Sequence, residues 1–255
     1  MTRDAHLLPV AILAGGLATR LRQATDHLPK ALIDVNGRPF IAWQLEALRD
    51  QGASQVIICV GHRGEDIRHV VGAGYDFGLH VDWAFDGPTL LGTAGAIRRA
   101  LRLIGGPFFV LYGDSYLPID WCPVQEAFLA SGKPGLMTVY HNEGRWDRSN
   151  VEFDGRRIVA YDKNTLTSRM HHIDYGLGAF QPSAFDRLED GRPADLADVY
   201  RDLVAERRLA AYEVHQRFFE IGSFDGLEET RAYLVNRLGQ EESRSCRFRI
   251  SFSWK

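Results

Sequence analysis

The chain has 255 residues, a formal net charge of -3, and 25% charged residues. This length is enough for one α/β domain or two small ones, with a core that needs no disulfides. The balanced charge excludes a basic surface for nucleic acid or for an anionic membrane. The cysteines Cys59, Cys122 and Cys246 form no CxxC pair, the N-terminus is too short for a signal peptide, and no apolar run is long enough to span a bilayer. We therefore expect a cytoplasmic protein.

The first half alternates strands with helices. Short apolar runs predict strands at 10–13, 55–60, 80–85 and 108–112. Apolar residues at helical spacing predict helices at 39–51, 64–71 and 93–104. Because strands and helices alternate, we expect a largely parallel sheet that is covered on both faces.

Strands dominate after about Gly135. A strand is predicted at 135–140, Asp154-Gly155 marks a hairpin turn, and IDYGLGAF is a further strand. Helices return at 196–206 and 226–238. We predict a single domain over residues 1–239, with one half to about 134 and a strand-rich half over 135–239. Residues 240–255 show no clean periodicity and are interpreted as a C-terminal tail.

The stretch AILAGGLATRLRQATDHLPKAL (residues 11–32) places a Gly-Gly pair directly after the first strand. It matches neither the dinucleotide fingerprint GxGxxG nor the P-loop GxxxxGK[ST]. Glycines after a parallel strand still let backbone N–H groups approach phosphate oxygens. Arg20 and Lys30 follow the glycines and are suited to neutralising a triphosphate. The alternative is a glycine turn followed by surface cations.

With Arg20 and Lys30 included, this stretch resembles the GGxxTRL…PK motif of the sugar-1-phosphate nucleotidylyltransferases. Four further stretches resemble motifs of that family in its order: LLGTAGAI (90–97), LYGDSY (111–116), YDKN (161–164) and EIGSFDGLEE (220–229). The stretches NGRPF, VGHRGEDIR and LGTAGAI are most similar to the guanylyltransferases that use D-glycero-D-manno-heptose 1-phosphate. The resemblance implies an α/β, Rossmann-like (GT-A-type) fold: a mixed, mainly parallel sheet flanked by helices, with a smaller strand-rich portion that binds the sugar.

The resemblance also implies site residues, which fall into four groups. The nucleotide-binding group is Leu13, Ala14, Gly15, Gly16, Thr19, Arg20, Lys30, Gly92, Thr93 and Gly113. The catalytic group is Arg20, Lys30, Asp114 and Lys163, and the sugar-phosphate group is Asn150, Asp162, Lys163, Asp174 and Gly176. The metal ligands are Asp114 and Asp225, which would bind Mg²⁺ or Mn²⁺.

The implied reaction joins an NTP and a sugar 1-phosphate into an NDP-sugar and pyrophosphate. Arg20 would hold the leaving β- and γ-phosphates, Lys30 would lie across the α-phosphate, and Lys163 would orient the acceptor. Family likeness favours GTP as donor and a hexose or heptose 1-phosphate as acceptor. A homo-oligomer is compatible with this reading.

Structural interpretations compete with these assignments. Asp114 is also suited to a strand-to-helix turn, Asp225 to a helix N-cap, and Lys163 to solvent. His171-His172 has no partner at zinc spacing, which favours a solvated segment before a strand.

Ser149-Asn150 and Asp174-Tyr175-Gly176 depart from the family pattern in the segments expected to line the sugar pocket. Two functional alternatives therefore stay open. One is a nucleotidylyltransferase for a non-sugar phosphate such as phosphocholine, and the other is a non-catalytic regulator that binds an NDP-sugar.

Overall fold

A computed structural model of the chain describes residues 6–16 and 28–250. Side chains are described as far as Arg237, and residues 238–250 by their backbone. Its central element is a nine-stranded sheet. Four strands of this sheet are β1 (Val10–Leu13), β4 (Gln55–Val60), β5 (His80–Phe85) and β6 (Phe108–Tyr112). They are parallel neighbours, in the order β5-β4-β1-β6. All four were predicted with these bounds.

Helices cover both faces of the parallel strands. The helices of the first half are α1 (Phe40–Asp50), α2 (Gly64–Val71), α3 (Gly92–Ala100) and α4 (Cys122–Ser131). Successive residues of β1 alternate between two core clusters: Val10 and Ile12 belong to one, and Ala11 belongs to the other. Because side chains alternate across a strand, this two-sided burial explains why the strand reads as a continuous apolar run.

The strand-rich half joins the same sheet through β11 (His172–Phe180), which runs antiparallel to β6. One branch beyond β11 contains β8 (Gly135–His141) and β12 (Leu209–Val214), with α5 (Leu196–Ala205) packed against it. The other branch is the predicted hairpin of β9 (Val151–Phe153) and β10 (Ile158–Tyr161). The mixed, mainly parallel sheet flanked by helices confirms the predicted fold class.

A third small core closes one end of the sheet. It joins two short strand pairs to the C-terminal helix α6 (Phe224–Ile250). The pairs are β2 (Asp34–Val35) with β3 (Arg38–Pro39), and β7 (Ser115–Tyr116) with β13 (Phe219–Glu220). None of these pairs was predicted, because strands of two residues are too short to show alternation.

The predicted end of the last helix is wrong. Helix α6 does not stop at Leu238 but continues to Ile250, and residues 251–255 lie outside the described part. The segment after Gly239 is rich in Glu, Arg, Gln and Ser, which tolerate a helix without forming an apolar stripe. Within the described residues, no helix is both long enough and apolar enough to cross a membrane.

Candidate active site

Two adjoining cavities open beyond the carboxyl ends of β1 and β6. The first has a volume of about 370 Å³ and the second a volume of about 490 Å³. Lys30, Tyr112 and Asp114 line both of them. Ligands of open α/β sheets bind at this edge, so the two cavities mark the candidate active site.

The first cavity collects the nucleotide-binding residues predicted from the sequence. Those that line it are Leu13, Ala14, Gly15, Gly16, Lys30, Gly92, Thr93 and Gly113. Thr19 and Arg20 lie outside the described residues. The residues come from the segments that follow β1, β5 and β6, and the parallel strands in the order β5-β4-β1-β6 bring these segments to one edge of the sheet.

The floor of the first cavity requires glycine at residue 113. A Cβ atom there would lie 2.5 Å from the carbonyl oxygen of Leu13 and 2.9 Å from Cα of Ala14. Backbone cannot yield at such distances without moving β1. Gly113 therefore allows the loop after β6 to touch the loop after β1.

The start of α3 forms the opposite wall and is fixed to a distant loop. The N–H of Ala94 donates to the carbonyl oxygen of Ala194 at 2.9 Å. The hydroxyl of Thr93 donates to Asp195 at 3.0 Å and accepts the N–H of Leu196 at 2.7 Å. Asp195 caps α5, so the two helices share one hydrogen-bonded junction beside the nucleotide cavity.

Asp86 is a cavity residue that the sequence analysis missed. It directly follows β5, its side chain is buried, and its Oδ2 accepts the N–H of Leu91 at 3.0 Å. Burial raises the pKa of this carboxyl, while the Leu91 hydrogen bond and nearby Arg99 act in the opposite direction. A buried carboxylate in a ligand cavity is suited to accepting N–H donors from that ligand.

An ion pair stands where the two cavities meet. The Nζ atom of Lys30 lies 2.7 Å from Oδ2 of Asp114. Lys30 begins a short 3₁₀ turn (Lys30–Leu32), and Asp114 lies between β6 and β7. The structure thus brings together the predicted phosphate-binding cation and the predicted metal carboxylate.

The second cavity contains most of the predicted sugar-phosphate residues. Asn150, Lys163, Asp174 and Gly176 line it. Asp174 and Gly176 lie in a bulge of β11, where the pairing with β8 shifts between Asp174 and Gly178. Gly176 has a φ of +97°, a backbone conformation that favours glycine. The bulge lies beside Tyr112 and Ser115, and bulges near active sites commonly redirect side chains.

The half-buried carboxylate of Asp174 has a dense polar environment. It accepts the N–H of Gly176 at 3.1 Å, and the hydroxyls of Tyr112 and Tyr161 each lie 3.5 Å from its Oδ2. Burial raises the pKa of Asp174, and the charge of Lys163 lowers it. Backbone N–H of Asp174 donates to Oδ1 of Asn150 at 3.0 Å, so two predicted acceptor residues support each other.

Of the predicted residues that the structure describes, Asp162 and Asp225 line neither cavity. Asp162 instead turns its carboxylate to the backbone N–H groups of Asn164 and Thr165, which lowers its pKa. Asp225 is exposed in the first turn of α6. This position is close to the helix N-cap that the sequence analysis gave as its structural alternative. Asp225 therefore lies outside the linings of both cavities, whereas Asp114 lines both, and Asp162 caps a turn.

Glu220, which the sequence analysis did not select, lies on the strand pair next to Asp114. In the β7–β13 pair, Glu220 is opposite Ser115, and the N–H of Ile221 donates to the carbonyl oxygen of Asp114 at 3.0 Å. Glu220 lines the second cavity. A Cβ at Gly222 would lie 2.9 Å from Nζ of Lys30 and closer still to Oε2 of Glu220, so both charged groups border this glycine.

The donor set at this edge fits a divalent metal of the magnesium type. Asp114 and Glu220 supply hard carboxylate oxygens. The ion pair between Lys30 and Asp114 shows that the Asp114 carboxylate already binds a positive charge. The part of the chain that the structure describes contains no group of three or more His, Cys, Asp or Glu suited to holding a metal. Mg²⁺ commonly takes one or two carboxylates and completes its shell with water and phosphate oxygens.

Comparison with known proteins identifies the family. Residues 10–146 match the family model of the MobA-like NTP transferase domain. The chain is 31% identical to an N-acetylmuramate alpha-1-phosphate uridylyltransferase of Neisseria meningitidis, over 87% of this chain and 96% of that protein. It is 29% identical to the catalytic subunit beta of mannose-1-phosphate guanylyltransferase from Drosophila melanogaster, over 91% of this chain but 64% of that protein.

Solved structures show the same fold. HddC from Yersinia pseudotuberculosis, complexed with GMP-PN, superposes with a TM-score of 0.74 at 22% identity, over 89% of this chain and all of that one. The family resemblance read from the sequence motifs is thereby confirmed. The chain belongs to the family of MobA-like NTP transferase domains, its relatives are sugar-phosphate nucleotidyltransferases, and it is a nucleotidyltransferase.

Proposed function

We propose that the protein transfers a nucleotidyl group from an NTP to a sugar 1-phosphate and releases pyrophosphate, with Mg²⁺ as its metal. The observation that carries this proposal is the wall common to the two cavities. Because Lys30 and Asp114 line both, a triphosphate in the first cavity and an acceptor phosphate in the second would meet at this ion pair. The non-catalytic alternative is not retained, since the relatives are transferases.

The residues of this wall would act by position and charge. The acceptor phosphate oxygen attacks the α-phosphorus, and the bond from that phosphorus to the pyrophosphate oxygen breaks. Lys30 would stabilise the charge on the α-phosphate, and Lys163, at the side of Asp174, would orient the acceptor phosphate. Arg20 is assigned to the leaving phosphates from its sequence motif alone.

Asp114 and Glu220 would hold the metal between the two substrates. When bound, Mg²⁺ supplies positive charge that neutralises phosphate oxygens in the transition state. Glu220 replaces Asp225 in this assignment because Glu220 lines the acceptor cavity and pairs opposite Ser115.

Asp86 supports GTP as the donor. The relatives divide between uridylyl and guanylyl transfer, so their names do not decide the base. Guanine presents two neighbouring donors, N1–H and N2–H₂, which match a carboxylate. Uracil presents one N–H between two carbonyl oxygens, and a carboxylate that accepts this N–H is repelled by both carbonyl oxygens. The buried carboxylate of Asp86 in the nucleotide cavity therefore favours guanine.

The donor assignment can be tested with a pyrophosphate-release assay. Four NTPs are compared against mannose, glucose and heptose 1-phosphates, for the wild type and Asp86→Asn. The amide keeps an oxygen for the Leu91 N–H but adds a donor toward the base. We expect GTP to give the highest kcat/KM, and the GTP:UTP ratio to fall at least about 10-fold in the variant. A wild-type preference for UTP would contradict the donor assignment and leave the reaction class intact.

Phosphocholine is the second candidate acceptor, because aromatic side chains also line the second cavity. They are Tyr112, Trp146, Tyr175 and Phe218. Aromatic rings and carboxylates together recognise quaternary ammonium groups. The relatives' sugar substrates place a sugar 1-phosphate first, and a higher kcat/KM for phosphocholine with CTP would reverse that order.

A further inference from the structure

The acceptor cavity carries an excess of negative charge. The lysine and carboxylate side chains that line it are Lys30, Lys163, Asp114, Asp147, Asp174 and Glu220. Two ammonium groups thus face four carboxylates. Among the described residues, no arginine and no histidine lines this cavity. The excess is not evenly spread, because Lys30 is already paired with Asp114.

In the proposed reaction, positive charges balance only the carboxylates on the side of the nucleotide cavity. Asp114 lies in the wall shared with the nucleotide cavity, and Glu220 lines the acceptor cavity on the neighbouring strand pair; Lys30 and a metal would balance these two carboxylates. Asp147 and Asp174 remain on the acceptor side, with Lys163 as the lining cation. Lys163 is also the group assigned to the acceptor phosphate. A second anionic group on the acceptor would therefore meet Asp147 and Asp174 without a further cation among the described lining residues.

Asp147 is held at the cavity by a buried asparagine. Asn142 has no solvent exposure, and its Nδ2 donates to the carbonyl oxygen of Asp147 at 2.6 Å. The Oδ1 of Asn142 accepts the N–H of Trp146 at 3.3 Å, and its backbone carbonyl oxygen accepts the N–H of Arg145 at 3.0 Å. Asn142 thus holds the backbone of the loop that presents Asp147, and the N–H of Arg148 donates to the Asp147 carboxylate at 2.6 Å, which orients this exposed charge at the cavity rim.

An arginine that packs behind the cavity wall, Arg217, is already engaged. The Arg217 guanidinium lies 3.4 Å from the centroid of the Trp146 ring. Its Nη2 lies 2.6 Å from Oε2 of Glu229, and its Nε donates to the carbonyl oxygen of Phe218 at 3.1 Å. Arg217 therefore stiffens the cavity wall behind Trp146, and its charge is balanced by Glu229.

From this arrangement we infer that Asp147 and Asp174 make the protein select against acceptors that carry a carboxylate besides their phosphate, in favour of acceptors whose other groups are neutral or cationic. This inference rests on the proposed function and deepens it. It separates the chain from its uridylyltransferase relative, whose named substrate, N-acetylmuramate 1-phosphate, bears a carboxylate. Like charges placed together in a partly enclosed site disfavour binding strongly.

The test compares acceptors that differ in one charge. The pairs are α-D-mannose 1-phosphate with α-D-mannuronate 1-phosphate, and α-D-glucose 1-phosphate with α-D-glucuronate 1-phosphate. Each pair exchanges a CH₂OH group for a carboxylate of similar size. For any pair that is turned over, we expect kcat/KM to be on the order of 10- to 10²-fold higher for the member with the CH₂OH group than for the uronate.

Matched variants assign the effect to the cavity. Asp147→Asn is expected to lower the neutral-to-uronate ratio at least about 5-fold. Glu143→Gln removes the same charge from the same loop at a residue that does not line the cavity, and the ratio should stay at the wild-type value. Thermal denaturation of both variants shows whether the loop remains folded.

Three outcomes would overturn the inference in distinguishable ways. Equal or faster turnover of the uronates refutes the charge selection and leaves the proposed function standing. A ratio that responds equally to Asp147→Asn and Glu143→Gln refutes the assignment to the cavity wall. If no sugar 1-phosphate of either pair is turned over with any NTP, the proposed function fails and the inference falls with it.

Discussion

Substituting Glu220 and Asp225 separately tests the metal site most directly. The structure places Glu220 opposite Ser115, next to Asp114, whereas Asp225 is exposed in the first turn of α6. We predict that Glu220→Gln loses most activity and that Asp225→Asn keeps it. The motif spacing alone predicts the reverse for Asp225.

The expected magnitudes follow from the surroundings of each carboxylate. Losing one of two charges that stabilise the phosphates should lower kcat/KM by about 10²- to 10³-fold, or about 3 to 4 kcal/mol. Glu220 also accepts the N–H of Gly222 and the hydroxyl of Ser223, and the glutamine oxygen keeps only one of these bonds. That loss costs about 1 kcal/mol of folding stability. Asp225 loses only its favourable position at a helix N-terminus, worth about 0.3 to 1 kcal/mol.

The assay is pyrophosphate release as a function of Mg²⁺ concentration for the wild type and both variants. The half-saturating Mg²⁺ concentration should rise in Glu220→Gln and stay unchanged in Asp225→Asn. Thermal unfolding of each variant separates a metal effect from a folding defect. Wild-type Mg²⁺ response in Glu220→Gln, or a loss of orders of magnitude in a folded Asp225→Asn, would refute the assignment.

Three further predictions concern the nucleotide cavity. Lys30→Ala and Arg20→Ala should each fold and lose about 10²-fold or more in kcat/KM, with strongly non-additive losses in the double variant, as measured by steady-state kinetics. Burial raises the pKa of the Cys59 thiol to about 12, so mass spectrometry after maleimide treatment at neutral pH should find Cys59 unlabelled until the protein is denatured. Gly113→Ala should lower the free energy of unfolding by about 1 to 3 kcal/mol, because its Cβ would press on the Leu13 carbonyl oxygen. A thermal midpoint equal to the wild type would contradict this packing.

Much of the fold was predictable because its signals are local. The runs at β1, β4 and β6 are buried on both sides, and a nearly uninterrupted apolar run shows this directly in the sequence. The glycine pair and Lys30 were predicted to belong to one site from their short spacing in the sequence, and all three residues line the first cavity.

The residues that were missed depend on contacts between distant segments. Glu220 reaches Asp114 through a two-residue strand pair that has no sequence pattern. In the sequence, Asp86 looks like an ordinary loop residue after a strand. Its place in the cavity depends on its burial and on the hydrogen bond that it accepts from the N–H of Leu91, which the sequence does not show. Asp162 was misplaced because a motif fixes the order of residues, whereas the turn at Asn164 decides where the carboxylate points.

The wall of Lys30, Tyr112 and Asp114 between the two cavities has a thermodynamic consequence. Two ligands that touch the same three side chains do not bind independently, so each occupant changes the free energy of binding of the other. Linkage requires the factor to be the same in both directions, and such factors are typically about 5- to 150-fold. An uncleavable nucleotide should therefore change the Kd of the acceptor by the same factor by which the acceptor changes the Kd of the nucleotide.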